Sequence, residues 1–379
     1  MHQLRRQSCW LLTSAMLLGW DAMLGPLTAR AAETGGGFTL YAPSNVEQKL
    51  FVVRVRPAPD NGARGGMLDL VRAVDLGFRG DRIAAHPTKP LLYVSGAVGK
   101  AGHNAAALPL DEAGLPQEPK PATLTRGYAY LATDRMGRFL LGCDYGSGAV
   151  DVFSLGADGL PGERVHGLAE GRPLAHCVLP SPDNRSVYIP YVKEQNALYQ
   201  YAFDPATGGL SPLDPKDVGP PAGSGPRHLA YHPRLPLVYF SEEQSLGVSV
   251  YERAADGRLT LRQQSRSVPG EGPAPGMSSS DIEITPDGRH LYAGIRAAEA
   301  AGNAIACYAV AADGSLSPRG LVPADKIPWG MTISPDGRFL AVTGFESATL
   351  VLYAIAADGS LSRSASLATA KHITDILAR

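Results

Sequence analysis

A short pattern, a polar turn followed by a run of large apolar residues ending near an aromatic ring, returns six times along the 379 residues. It reads His86-Pro87-Thr88-Lys89-Pro90-Leu91-Leu92-Tyr93, then Thr133-Asp134-Arg135-Met136-Gly137-Arg138-Phe139-Leu140, then Ser181-Pro182-Asp183-Asn184-Arg185-Ser186-Val187-Tyr188. Further copies begin at His232, Thr285 and Ser334, so successive starts lie 47, 48, 51, 53 and 49 residues apart. A period of about fifty belongs to four-stranded propeller blades. Helical solenoids of similar period are excluded by turn residues that recur within each unit, as in Pro286-Asp287-Gly288-Arg289 and then Ala312-Asp313-Gly314-Ser315, because such turns interrupt helices. The 43 Gly and 31 Pro likewise favour many short strands.

Each unit predicts four antiparallel strands: one before the turn, one after it, an alternating third such as Gly247-Val248-Ser249-Val250-Tyr251, and a fourth beyond the second turn. The ends predict a seventh unit. Phe38-Thr39-Leu40-Tyr41 and Lys49-Leu50-Phe51-Val52-Val53 look like second and third strands without a first, and residues Lys371 to Leu377 offer a lone first strand. Pairing them closes the ring and removes an exposed sheet edge. The expectation is an all-β, seven-bladed β-propeller over residues 32–379, closed by its two ends; six blades with loose tails is the alternative.

Residues 1–31 read differently. Arg5 and Arg6 precede an apolar stretch from Cys9 to Trp20, and Ala29-Arg30-Ala31 offers a cleavage site, the pattern of a secretory signal peptide. The stretch is short for a bilayer span and is followed by Asp21. Cleavage after Ala31 is therefore expected to yield a periplasmic or secreted protein without a membrane anchor, with the Sec and twin-arginine routes both open. The formal charge of −1, with no basic block, argues against a nucleic-acid partner. Cys143, Cys177 and Cys307 would remain, an odd number best read as three buried thiols, with one disulfide as the alternative. No cysteine pair has metal-ligand spacing, and neither a metal nor another cofactor is expected. The oligomeric state is left open.

First strands of a propeller line its central channel, and the loops entering them and leaving the second strands open on one face. Five residues before each turn stand Asp81, Tyr128, His176, Arg227, Ser280 and Trp329; eleven after each start stand Ala97, Asp144, Val192, Glu243, Arg296 and Phe345. His176, Arg227, Glu243 and Arg296 come from three consecutive units, so they converge on one sector as a candidate catalytic group. Hydrolysis of an ester-type carbonyl needs an activated water and positive donors where the carbonyl oxygen becomes charged, and this group supplies both. His176 is expected to take the proton, Arg227 and Arg296 to hold the oxyanion or orient substrate oxygens, and Glu243 to hold a partner in place or share the role of base. The competing reading is a self-compensating ion-pair cluster. Tyr128, Asp144, His228, Asp281 and Trp329 are the expected substrate-binding positions, Tyr128 and Trp329 either by stacking on a sugar or as channel plugs. His86 and His232 belong to the turns and are expected at the surface or in the turn itself. Cys177 should point away from His176.

The chain resembles the bacterial 6-phosphogluconolactonase family of seven-bladed propeller lactonases, whose fungal relatives include carboxymuconate-lactonizing enzymes. The resemblance runs from about Phe38 to the C-terminus. It rests on Ala175-His176-Cys177 before Ser181-Pro182-Asp183-Asn184-Arg185, on Pro226-Arg227-His228-Leu229 with His232-Pro233, on Glu242-Glu243, and on Asp281-Ile282-Glu283-Ile284-Thr285-Pro286-Asp287-Gly288-Arg289-His290-Leu291-Tyr292 leading to Arg296. The resemblance implies that His176, Arg227, Glu243 and Arg296 form the active site and that no metal is required. Two departures, Cys177 for a small hydroxyl residue and Glu242 for an asparagine, imply a different pocket polarity. The signal peptide implies an unphosphorylated substrate, glucono-1,5-lactone or a similar aldonolactone, with only this small molecule as partner. The alternatives are 6-phospho-D-glucono-1,5-lactone, with Lys193 as the nearby cation for a phosphate, a non-catalytic binding platform, and a cyclising lyase acting on muconates.

Overall fold

The computed structural model describes residues 37–58, 65–267 and 275–379. The proposed signal segment, residues 1–31, lies outside the described residues. The strands form seven four-stranded sheets, and in every sheet neighbouring strands are antiparallel. The first blade covers positions 38–75, the second 79–122, the third 130–168, the fourth 179–217, the fifth 226–266, the sixth 277–323 and the seventh 328–368. The missing inner strand of the first blade is Leu377–Ala378, which pairs antiparallel with Phe38–Pro43 through Leu40 opposite Ala378 and Tyr41 opposite Leu377. Thr39 and Arg379 exchange both backbone hydrogen bonds, at 2.8 and 2.9 Å. The chain is thus a closed seven-bladed β-propeller.

The blades cohere because strand side chains alternate between the two faces of each sheet. Leu141 packs with Val187 and Ile189 toward the fourth blade, whereas its neighbour Leu140 packs with Leu91 and Tyr93 toward the second. Each of the seven apolar clusters spans one junction between adjacent blades, the last joining the seventh blade to the first through Phe339, Leu352, Phe38 and Val53. Truncating a buried leucine there would cost about 2–5 kcal/mol.

The aromatic residue that closes the repeat has a specific use. Tyr93, Tyr188, Tyr239 and Tyr292 each donate a hydrogen bond to the carbonyl of a glycine in the outer turn of the following blade, Gly159, Gly257, Gly314 and Gly359, at 2.7, 2.6, 2.9 and 2.9 Å. The turn must be glycine at Gly314, where φ is +83° and a Cβ would lie 2.0 Å from Leu237 Cδ1.

Backbone hydrogen bonding also fixes the repeat register. His86, Asp134, Ser181, His232, Thr285 and Ser334 each donate their N–H to the carbonyl five residues on, at 2.8–3.0 Å. The second copy therefore starts at Asp134 rather than Thr133. At this position a side-chain acceptor tightens the turn, and the two histidines do the same work as Ser181 or Asp134: His86 Nδ1 accepts from Thr88 and Lys89 N–H, and His232 Nδ1 from Arg234 and Leu235 N–H. Both rings are buried, not at the surface.

Candidate active site

The inner strands are irregular where they face the channel. Register shifts fall between Gly80 and Arg82, Pro226 and Leu229, Ser279 and Ile282, and Pro328 and Met331. In the fourth blade the inner strand shrinks to Leu179–Pro180, preceded by an isolated bridge from Ala175 to Tyr191 and by His176 N–H donating to Pro190 O at 3.0 Å. A bulge breaks the two-residue alternation and re-aims side chains, and here it does so at channel positions counted from the turns.

A cavity of about 810 Å³ opens among these loops, and its wall includes Asp81, Tyr128, Asp144, His176, Glu243, Arg296 and Trp329. Arg227 is not in the wall. It lies fully covered behind it, with Nε 3.3 Å from Glu243 Oε2 and its guanidinium 5.8 Å from the centre of the Trp329 ring. Arg296 faces the other carboxylate oxygen, Nη2 to Glu243 Oε1 at 3.4 Å, donates to Ser279 O at 2.8 Å, and lies 4.6 Å from the Trp329 ring centre. One carboxylate thus stands between two guanidinium groups, leaving a net positive charge in a nearly dry place.

The hydrogen bonding of this group is unfinished. None of Arg227 Nε, Nη1 and Nη2 has a hydrogen-bond partner, the 3.3 Å approach to Glu243 being out of line, and Arg296 Nε, Trp329 Nε1, Glu243 Oε2 and His176 Nδ1 are also buried without one. Leaving a buried polar atom unpaired costs about 1–3 kcal/mol, so this concentration marks the cluster as a place where polar partners are expected. Burial, then the Arg296 charge, pushes the Arg227 guanidinium below its ordinary value, and Glu243 opposes them. His176 is held well below the usual imidazole value by burial, then by Arg227, His228 and Arg82. It is therefore a neutral imidazole at pH 7, with a lone pair to accept a proton.

The remaining expected substrate contacts divide. Asp144 is in the wall, where its carboxylate accepts from Gly146 and Ser147 N–H. Tyr128 is in the wall but committed, its hydroxyl donating to Asp151 Oδ2 at 2.8 Å and its ring filling the place where Gly142 lacks a side chain. Trp329 is already stacked, on Phe345 with 4.7 Å between ring centres and under Arg296, so its unpaired edge N–H is the group it offers. His228 and Asp281 are placed otherwise than expected. They line a different cavity, farther along the channel, because the bulges at Pro226/Leu229 and Ser279/Ile282 turn them away from the first.

Register correction exposes what the sequence count missed. With the second turn starting at Asp134, the eleventh position is Tyr145, not Asp144. Tyr145 is in the wall, edge-on to His176 with 5.6 Å between ring centres, and Lys193 Nζ lies 5.6 Å from its ring centre. Arg82, in the wall as well, gave no signal in the sequence beyond standing next to Asp81. The two departures noted above both face away. Cys177 is buried against Tyr188 and Leu229, its thiol pushed up by burial, and Glu242 is held by Ser245, Ser249 and Gln264. All three cysteines of the described residues are buried free thiols.

A ring of seven four-stranded blades with a polar cavity at one channel mouth is the architecture of a propeller enzyme, and solved structures share the fold. The periplasmic gluconolactonase of Pseudomonas aeruginosa superposes with a TM-score of 0.77 at 22% identity over 90% of this chain and 99% of that one. A Lactobacillus plantarum protein does so with a TM-score of 0.75 at 20% identity over 91% and 100%. The chain matches the family model described as lactonase, 7-bladed beta-propeller over residues 65–377, and it belongs to that family. It is 33% identical over 319 residues to a 6-phosphogluconolactonase of Cronobacter sakazakii, covering 82% of this chain and 88% of the relative. It is 34% identical over 311 residues to one of Pectobacterium carotovorum, covering 81% and 88%.

Proposed function

We propose that this lactonase hydrolyses glucono-1,5-lactone or a similar aldonolactone to the aldonic acid. The observation that carries this reading is the convergence of Arg296, the unpaired Trp329 N–H and a neutral His176 on one cavity, with Arg227 behind its wall. His176 accepts a proton from the attacking water as the new C–O bond forms, then returns it to the ring oxygen as the old C–O bond breaks. Arg296, in the wall, meets the oxygen that becomes charged, and Arg227 adds positive potential from behind. Glu243 holds the two guanidinium groups at a fixed separation. Tyr145 and Asp144 stand where a polyol would lie.

A 6-phospho lactone is the second reading, favoured by Lys193. Its φ of +55° is unusual for a side-chain-bearing residue, its backbone N–H donates to Gln244 Oε1 at 2.7 Å, and its ammonium lies 5.6 Å from the Tyr145 ring centre at the cavity wall. The export pattern of residues 1–31 supports a mature enzyme outside the cytosol, where unphosphorylated sugars are oxidised, and so favours the first reading. No helix of the described residues is long and apolar enough to cross a membrane. The test is acid release from both lactones, above the spontaneous rate, by the mature protein and by His176→Ala. Loss of turnover in His176→Ala is expected. No turnover of any sugar lactone by the wild type would instead leave a binding platform.

A further inference from the structure

The channel holds a second cavity, of about 570 Å³, whose wall includes Arg82, Tyr130, His228, Asp281, Glu283 and Asp375. Arg82 is the one residue common to both walls. Its guanidinium donates to the carbonyls of Ala129 and Asp81, so it forms a fixed partition between the two spaces. Beside it the partition is crossed by two imidazoles. His176 belongs to the first wall and His228 to the second, and their rings meet edge-on with 5.0 Å between centres and 62° between planes. Neither His176 Nδ1 nor His228 Nε2 has a hydrogen-bond partner, so the two are not bonded to each other and a turn of one ring is needed to join them. On the far side, His228 Nδ1 lies 2.8 Å from Asp281 Oδ1, and Asp281 accepts further from Ile282 and Met331 N–H, which marks it as the acceptor.

Lactone hydrolysis near neutrality leaves a carboxylate and releases one proton. The first cavity already carries the Arg296 charge with Arg227 behind it, which Glu243 offsets only in part. The second offers three carboxyl groups with raised proton affinity: burial lifts Asp281 and Glu283 and brings Asp375 to about 7. We propose that His228 and Asp281 form a proton relay that carries the product proton from His176 through the partition to the cavity on the other side. The proposal rests on His176 being the base. The new carboxylic acid gives its O–H proton to His176 Nε2; the His176 Nδ1 proton passes to His228 Nε2, the His228 Nδ1 proton to Asp281 Oδ1, and Asp281 releases a proton to water. Each imidazole accepts on one nitrogen and gives from the other, so neither stays charged; each then returns to its Nδ1–H tautomer by proton exchange with water before the next turnover. His228 and Asp281 are thus positioning and relay residues that never touch substrate, in agreement with their absence from the first wall.

The test is turnover in dilute and in concentrated imidazole buffer. Wild type is expected to show a kcat independent of buffer concentration. His228→Gln and Asp281→Asn are each expected to lose at least about tenfold in kcat in dilute buffer at unchanged KM, and to regain it as imidazole rises. A purely structural defect would not respond to buffer. Wild-type kcat in dilute buffer, or a lowered kcat that no imidazole concentration restores in a folded variant, overturns the relay and leaves His176→Ala to judge the base separately. Should both variants fail to fold, the kcat of wild type in mixtures of light and heavy water decides: a bowed dependence supports several protons in motion, and a straight line refutes it.

Discussion

Arg227→Met separates catalysis from stability because the two readings of the cluster give opposite signs. Arg227 is fully buried, three of its nitrogens have no hydrogen-bond partner, and Glu243 still has Arg296 at 3.4 Å once Arg227 is gone. Removing it deletes a buried charge whose desolvation costs several kcal/mol and leaves no carboxylate orphaned. Methionine fills much of the volume. Stability should therefore be unchanged or rise by about 1–3 kcal/mol, the range seen when buried ions give way to apolar side chains. Catalysis should move the other way. A unit charge one side chain behind the wall, about 6 Å from the developing oxyanion, is worth about 3 kcal/mol at an effective dielectric of about 20. That is about a hundredfold in kcat/KM on glucono-1,5-lactone. Urea midpoints and continuous acid-release kinetics on the same preparation measure both. A clearly destabilised variant, with the loss expected for breaking a structural buried pair, that keeps its kcat/KM would show that Arg227 serves the fold and would refute the catalytic reading.

Three further outcomes follow from the same geometry. Asp375 is held at about 7 against an ordinary 3.8, so the folded state prefers its protonated form, and the stability this gives is lost as pH rises from about 4 through 7; its charged form above pH 7 costs about 4 kcal/mol. Asp375→Asn should thus stabilise at pH 8 by about 2 kcal/mol, after losing one acceptor for Ile83 or Ile376 N–H, and destabilise by about 1 kcal/mol at pH 4; equal urea-midpoint shifts at both pH values would contradict it. Because His176 is depressed, its neutral, proton-accepting form persists below pH 6.5, so the acid limb of kcat/KM should lie well under that of a free imidazole, and a limb at 6.5 in a pH-stat assay would remove His176 from the base role. Ending the chain after Asp375 deletes the closing strand and Ile376 from the junction of the seventh and first blades, and should lower the melting temperature by at least about 5 °C and promote association through the bared Phe38–Pro43 edge; unchanged melting and a sharp monomer peak would mean that closure is dispensable.

Spacing and residue type alone were enough for the architecture. A turn signature every fifty or so positions, tyrosines at its end and complementary fragments at the two termini are local facts repeated along the chain, and periodic local facts add up to a ring of blades. They also led to His176, Arg227, Glu243 and Arg296, because a constant offset from a constant turn reaches the same place in every blade. Counting failed where the backbone departed from regularity. A slip of one position at Thr133 exchanged Tyr145 for Asp144, and of the two places expected for the turn histidines, surface or turn, the turn is where they serve, as buried acceptors.

What the tertiary structure decided was direction. The bulges in the inner strands set Arg227 behind the wall rather than in it, turned His228 and Asp281 into a separate cavity, and stacked Trp329 against Phe345 before any sugar arrives. A bulge inserts one residue and re-aims the side chains beside it, and a constant count from the turn does not register the insertion. Four of the candidate groups, His176, Arg227, Glu243 and Arg296, were thus legible in the sequence, whereas Arg82 and Tyr145 were not, and depth, charge state and orientation came from the closed ring, where desolvation and the charges of Arg227 and Arg82 act together on one imidazole.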